Sequence, residues 1–174
     1  MSATETRTAV PTGTWNVDNV HSTIGFAVKH NGIATFRGTF GEVEGSLGPD
    51  GLTGTAKVES ITVGEPNLKG HLLSPDFFDA ERFPELSFRS KDVRVDASGD
   101  VNVEGEITIR GVTKPIVLRG SVAGPVDDRL GLEVETTIDR REFGLNWNAP
   151  LPTGGFALSN DVKIRGELEL VKAA

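Results

Sequence analysis

Apolar and polar residues alternate along most of this chain, most plainly in the run VKIRGELEL near its end. Val162, Ile164, Leu168 and Leu170 fall on one face there with Gly166 between them, while Lys163, Arg165, Glu167 and Glu169 take the other. A period of two is that of a β-strand with one buried and one wet face. STIGFAVKH repeats it and groups Ile24, Phe26, Val28 and His30; VNVEGEITI groups Val101, Val103, Ile107 and Ile109. ATFRGTFGEVEGSL reads as one long strand, bent or bulged at Gly38, Gly41 and Gly45. With TWNVD, TGTAKVESITV, LSFRSKDVRVD, IVLRGSVAG and LGLEVETTID, this makes about eight or nine strands on short connections, the spacing of an antiparallel sandwich or barrel.

Between Glu65 and Pro84 the alternation stops. Ser74-Pro75 has the form of a helix start, a hydroxyl cap before a proline at the first helical position, and Asp76 would then sit at the positive helix end. Phe83-Pro84 ends the element, because a residue before proline avoids helical angles. A preceding short helix in EPNLKGHLL is weakened by Gly70. One or two short helices near residues 65–84 are therefore expected on an all-β scaffold. Neighbouring residues on a helix point about 100° apart, so Phe77 and Phe78 would diverge: if the strands close into a barrel, one could plug it while the other faces its mouth or a second subunit, or both could close its bottom as core.

The 174 residues suit one domain with its own core. Residues 1–12 read as a disordered lead and 13–174 as the domain. The net charge of −7 disfavours a nucleic-acid or anionic-membrane partner. No apolar run approaches a membrane span, so stable insertion is not expected. Without cysteine there is no thiol chemistry, disulfide or cysteine-ligated metal. The first residues carry no secretory leader pattern, which makes the cytoplasm the expected compartment.

Few residues offer chemistry. His21 and His30 lie nine apart, an odd interval that puts them on opposite faces of a strand, so no metal site is expected. Ser22 beside His21 is a poor dyad for the same reason, and Gly120-Ser121 lacks the spacing of a nucleophile elbow. Neither catalytic residues nor a cofactor are expected. IDRREFG is the notable charged cluster: Arg140 or Arg141 could meet an anionic headgroup, or the group could be a surface ion-pair network. Strand parity points Ile24, Phe26, Val28, Phe36, Phe40, Phe88, Ile107, Ile109, Val162, Ile164 and Leu168 inward, and Phe143, Leu145 and Trp147 alternate in FGLNW. These describe a wall, with the division between packed core and hollow left open.

Five blocks in order, WNVDNVHSTIGFAVKH, FRGTFGEVEGSL, HLLSPDFFDAERFPELSFRS, GEITIRGVTKPIVL and IDRREFGLN, together resemble the YceI family, from about Thr14 to Val171. The resemblance implies a lipocalin-like antiparallel β-barrel of about eight strands around an apolar tunnel. It also implies a homodimer that binds, carries or stores a polyisoprenoid or similar long-chain amphiphile without catalysis. Tunnel-lining candidates are then Phe26, Val28, His30, Phe36, Phe40, Phe77, Phe78, Phe88, Ile107, Ile109, Phe143, Trp147 and Ile164. His21, His71, Arg140 and Arg141 are the candidates for headgroup contact. Two alternatives remain: an enzyme, or enzyme accessory, acting on a related amphiphile, and a filled barrel working through its outer surface.

Overall fold

The structure, a computed structural model, describes residues 7–8, 11–64, 66–152, 154 and 156–173. The strands are β1 (Arg7–Thr8), β2 (Trp15–Val17), β3 (Thr23–His30), β4 (Ala34–Phe40), β5 (Val43–Gly48), β6 (Gly51–Lys57) and β7 (Ile61–Val63). After helix α1 (Pro66–Leu73) come β8 (Glu85–Asp96), β9 (Asp100–Ile109), β10 (Val112–Val126), β11 (Arg129–Asp139) and β12 (Leu158–Lys172). The expected disordered lead lies largely outside the described residues; within it, Arg7 and Thr8 pair with Asp96 and Val95 of β8.

Three pairs of short strands are long staves with a kink, namely β2/β3, β4/β5 and β6/β7. With β8 to β12 they form eight staves, each antiparallel to the next, in an up-and-down barrel. β12 closes it. It pairs with the whole of β11, from Asp139↔Asp161 to Arg129↔Val171. Its other edge pairs with β3 through Leu158–Glu167 and with β2 through Leu170–Lys172.

The kinks align into a seam. Asn19 Oδ1 accepts from Val43 N at 2.6 Å, Glu42 O accepts from Lys57 N at 3.0 Å, and Ser60 O accepts from Gly41 N at 3.2 Å. Of the three glycines read as bends, Gly41 is at the break between β4 and β5. Gly38 has another role. It pairs with Phe26, whose ring lies 2.6 Å from where a Cβ would stand. The ring therefore seats on a bare backbone.

The insert differs from its sequence reading. The helix is the Pro66–Leu73 stretch, despite Gly70, whereas Ser74 to Pro84 forms hydrogen-bonded turns. Ser74 ends α1 rather than starting a helix, because both its backbone N and its Oγ donate to His71 O. The chain then folds back, so that Phe78 N and Ala80 N reach Leu72 O and Leu73 O at 3.0 and 2.9 Å. Carbonyls left open at the helix end are satisfied this way. Asp79, at φ 52°, reverses the chain and prevents a second helix.

Side chains fill only one end of the barrel. Trp15, Leu47, Leu52, Val103, Leu130, Leu132 and Leu170 pack there in a continuous core. At the other end, where α1 lies, inward-pointing Ile24, Phe26, Phe36, Leu86, Ile116, Val162 and Ile164 are only half-buried. Replacing Leu170, which is fully buried, by alanine is expected to cost about 2–5 kcal/mol in urea unfolding. Ile164→Ala, at the hollow end, should cost less than half as much. Equal losses would show that both ends are packed alike.

Candidate functional site

The half-buried residues face a cavity of about 620 Å³. Its floor is made by Val17, Leu52, Leu118, Val134 and Leu168, and its mouth by His30, Ala34, His71, Trp147, Ala149 and Ala157. Such a volume falls in the usual range of small-molecule sites. Many wall positions on the strands follow from parity, as in β3, where Ile24, Phe26, Val28 and His30 all reach the cavity.

Aromatic rings organise the open end in two groups. Phe26 stands 6.0 Å from both Phe36 and Phe40, and Phe78 meets Phe40 edge-on at 5.8 Å. At the mouth His71, Phe77 and Trp147 are in mutual contact, with centroids 4.6 to 5.4 Å apart. Offset and edge-to-face geometries of this kind are the favourable ones. Phe77 and Phe78 diverge as their adjacency demands, one into each group, and both line the cavity. His71 Nε2 is 3.0 Å from Asp76 Oδ2. Arg110, at φ 51° in the β9–β10 turn, draws the mouth together by donating to Gly144 O and Pro75 O.

Among the tunnel-lining candidates, Phe26, Val28, His30, Phe36, Phe40, Phe77, Phe78, Phe88, Ile107, Ile109, Trp147 and Ile164 lie on the cavity. Phe143 does not. It sits in a 3-10 turn, Arg140–Phe143, and is packed into the protein with 1% exposure. The alternation read through FGLNW fails there because the segment is not a strand. Of the headgroup candidates, His71 and Arg140 reach the cavity. Arg141 is exposed on the outside and engages Asp139 through two bonds, at 3.0 and 2.7 Å.

His21 is also outside, in a cluster with Asp18 and Glu169 whose ligand atoms lie within 4.8 Å of one another. Arg129 Nη1 occupies both carboxylates, at 2.7 Å from Asp18 and 2.8 Å from Glu169. The cluster is thus internally neutralised. Leu68 and Leu72 of α1 also line the cavity; sequence reading passed over them because Gly70 weakened the helix. Ile116, Leu118, Val134 and Ile138 share the parity of recognised strands, so their place was legible.

Hydrogen bonds from His21 and Arg129 hold the Asp18 carboxyl down at about 2, and Asp18 holds His21 above its ordinary 6.5. The Asp18 contribution is complete above the usual carboxylate range and is lost as pH falls toward about 2. That of His21 is complete below 6.5 and is lost as pH rises through its raised value. In an NMR titration His21 should titrate above 6.5, and Asp18→Asn should return it toward the ordinary value. An unmoved midpoint in that variant would refute the pairing.

Residues 15–170 match the YceI-like domain family. A UPF0312 protein of Staphylococcus aureus strain USA300 is 32% identical over 165 residues, covering 87% of this chain and 94% of the relative. Among solved structures, the YCEI protein of Campylobacter jejuni superposes with a TM-score of 0.68 at 27% identity, over 84% of this chain and 90% of that one. A polyisoprenoid binding domain from Saccharophagus degradans implicated in plant cell wall breakdown gives 0.74 at 16% identity, over 91% and 98%. BcnA of Burkholderia cenocepacia gives 0.72 at 20%, over 88% and 98%. The last two are similar in fold.

Proposed function

Because this chain belongs to the YceI-like family, we propose that it is a non-catalytic binding protein that encloses the apolar chain of an amphiphilic lipid. The observation that carries this is the hollow end: inward apolar side chains are left half-buried around about 620 Å³. Apolar surface facing an enclosed space gains on covering, at roughly 0.8 kcal/mol per buried methylene before the entropy of binding is subtracted. The polyisoprenoid binding domain similar in fold supports a long hydrocarbon as the ligand class. Carriage or storage of such a lipid is the role that fits an enclosed chain.

The cavity weighs against a filled barrel. The lining favours a binder over an enzyme, since the cavity wall is predominantly apolar. Native mass spectrometry followed by denaturing extraction tests the reading: a species of defined mass is expected, released on unfolding. Phe77→Ser with Phe78→Ser should lower retained ligand about tenfold, because one removes a ring from the mouth group and the other a ring from the wall group beside Phe40. Unchanged retention in a folded double variant would show that neither ring holds the ligand. A ligand-free protein that also takes up neither hexadecanoate nor a polyprenol would overturn the binder.

A further inference from the structure

Arg140 is 4% exposed, yet it forms part of the cavity wall near the mouth. Three bonds fix its guanidinium: Nε donates to Ser159 O at 2.9 Å, and Nη1 to Leu145 O at 2.6 Å and Trp147 O at 2.8 Å. All three acceptors are neutral carbonyls. The adjacent carboxylate, Asp139, is taken by both donor groups of Arg141. Among the described residues no carboxylate hydrogen-bonds to Arg140, and its Nη2 has no acceptor. A buried cation without a bonded counter-ion is costly, and beside an apolar wall its field is poorly screened. Burial pushes its pKa down, against the pull of Asp139, but a guanidinium stays charged. Held rigidly by its carbonyls, it is preorganised for an anion, and charge-assisted bonds of this kind are the strong ones.

The cavity also limits the tail. Its length sets the limit. The lining residues Leu158 and Leu168 bracket ten steps of β12, or ~33 Å of strand, which a typical barrel tilt shortens to ~25 Å along the axis. An extended chain gains ~3.5 Å per three bonds, so twenty carbons span ~23 Å.

We infer that the ligand is a fatty carboxylate of up to about twenty carbons, with its head on the Arg140 guanidinium and its tail toward the Leu118 floor. This rests on the barrel being a lipid binder. Displacement of a fluorescent fatty-acid probe from the full chain tests it, at a pH where the carboxylate is ionised. The competitors are dodecanoate, hexadecanoate, eicosanoate, octacosanoate and hexadecanol. Hexadecanoate should bind about tenfold tighter than hexadecanol, and affinity should climb to eicosanoate and stop. Arg140→Met should bring the affinities for hexadecanoate and hexadecanol together; the ratio is read because the residue also ties the cover to the barrel. Should that variant not fold, the wild-type ratio decides alone. Equal binding of acid and alcohol overturns the anionic head and leaves the binder standing. Tighter binding of octacosanoate than of eicosanoate overturns the length limit. Failure of every competitor overturns the binder itself.

Discussion

Closure through β12 is the constraint on which the rest depends. This one strand hydrogen-bonds to β11 along one edge and to β3 and β2 along the other. An eight-stave sheet left open there would present two unpaired edges, a template for association with other chains. The division of its second edge between β3 and β2 is possible because the first stave kinks. Ser22, 3% exposed, pins that kink: its Oγ accepts from Glu169 N at 3.0 Å and donates to Glu169 O at 3.3 Å. The serine beside a histidine is therefore a clasp between the first and last staves. Arg129, Asp18 and Glu169 fasten the same corner from the solvent side.

An eight-stranded barrel is at the size where side chains can either fill the interior or leave room for one small ligand. This protein does one at each end. Trp15, whose Nε1 donates to Thr12 O at 3.1 Å, stoppers the packed end together with leucines from five staves. At the other end two large rings are drawn to the wall by glycines on neighbouring strands. Phe26 sits over Gly38, and Phe88 stands 2.6 Å from the place of a Cβ on Gly105. Rings seated on bare backbone occupy wall rather than lumen. The insert and the loop after β11 then form a partial cover, joined by Arg110 and by the His71, Phe77 and Trp147 contacts.

Charge follows the same division. Most ionic side chains stand on outward faces, where exposed pairs such as Lys163–Glu135 and Arg165–Glu167 contribute little to stability. Among the described residues Asp79 and Arg140 are the buried exceptions; Asp79 pairs with Arg82, whereas Arg140 has carbonyl partners from two segments, the loop after β11 and the start of β12. One residue thus fixes the cover to the barrel and sets a positive charge beside the apolar space. A binding reading of the barrel gains a polar end and a direction from it.

The two-residue period of the strands determines much of the wall. Alternation decides which side of a strand a residue takes, so Phe26, Phe36, Ile107 and Ile164 were assignable to the inside from local sequence. The eight staves and the family membership were legible for the same reason, in runs and blocks that are contiguous along the chain. Where the decision depended on distant residues, local reading failed. Helix α1 forms despite Gly70 because Phe78 and Ala80 return to close its end, and Phe143 leaves the wall because the chain turns at Arg140. Whether an inward residue is packed or lines a hollow is likewise decided by what stands across the barrel, as Leu170 and Ile164 show on one strand. Of the adjacent Arg140 and Arg141, only the tertiary fold turns the first inward to the carbonyls of Leu145 and Trp147 and leaves the second in solvent with Asp139.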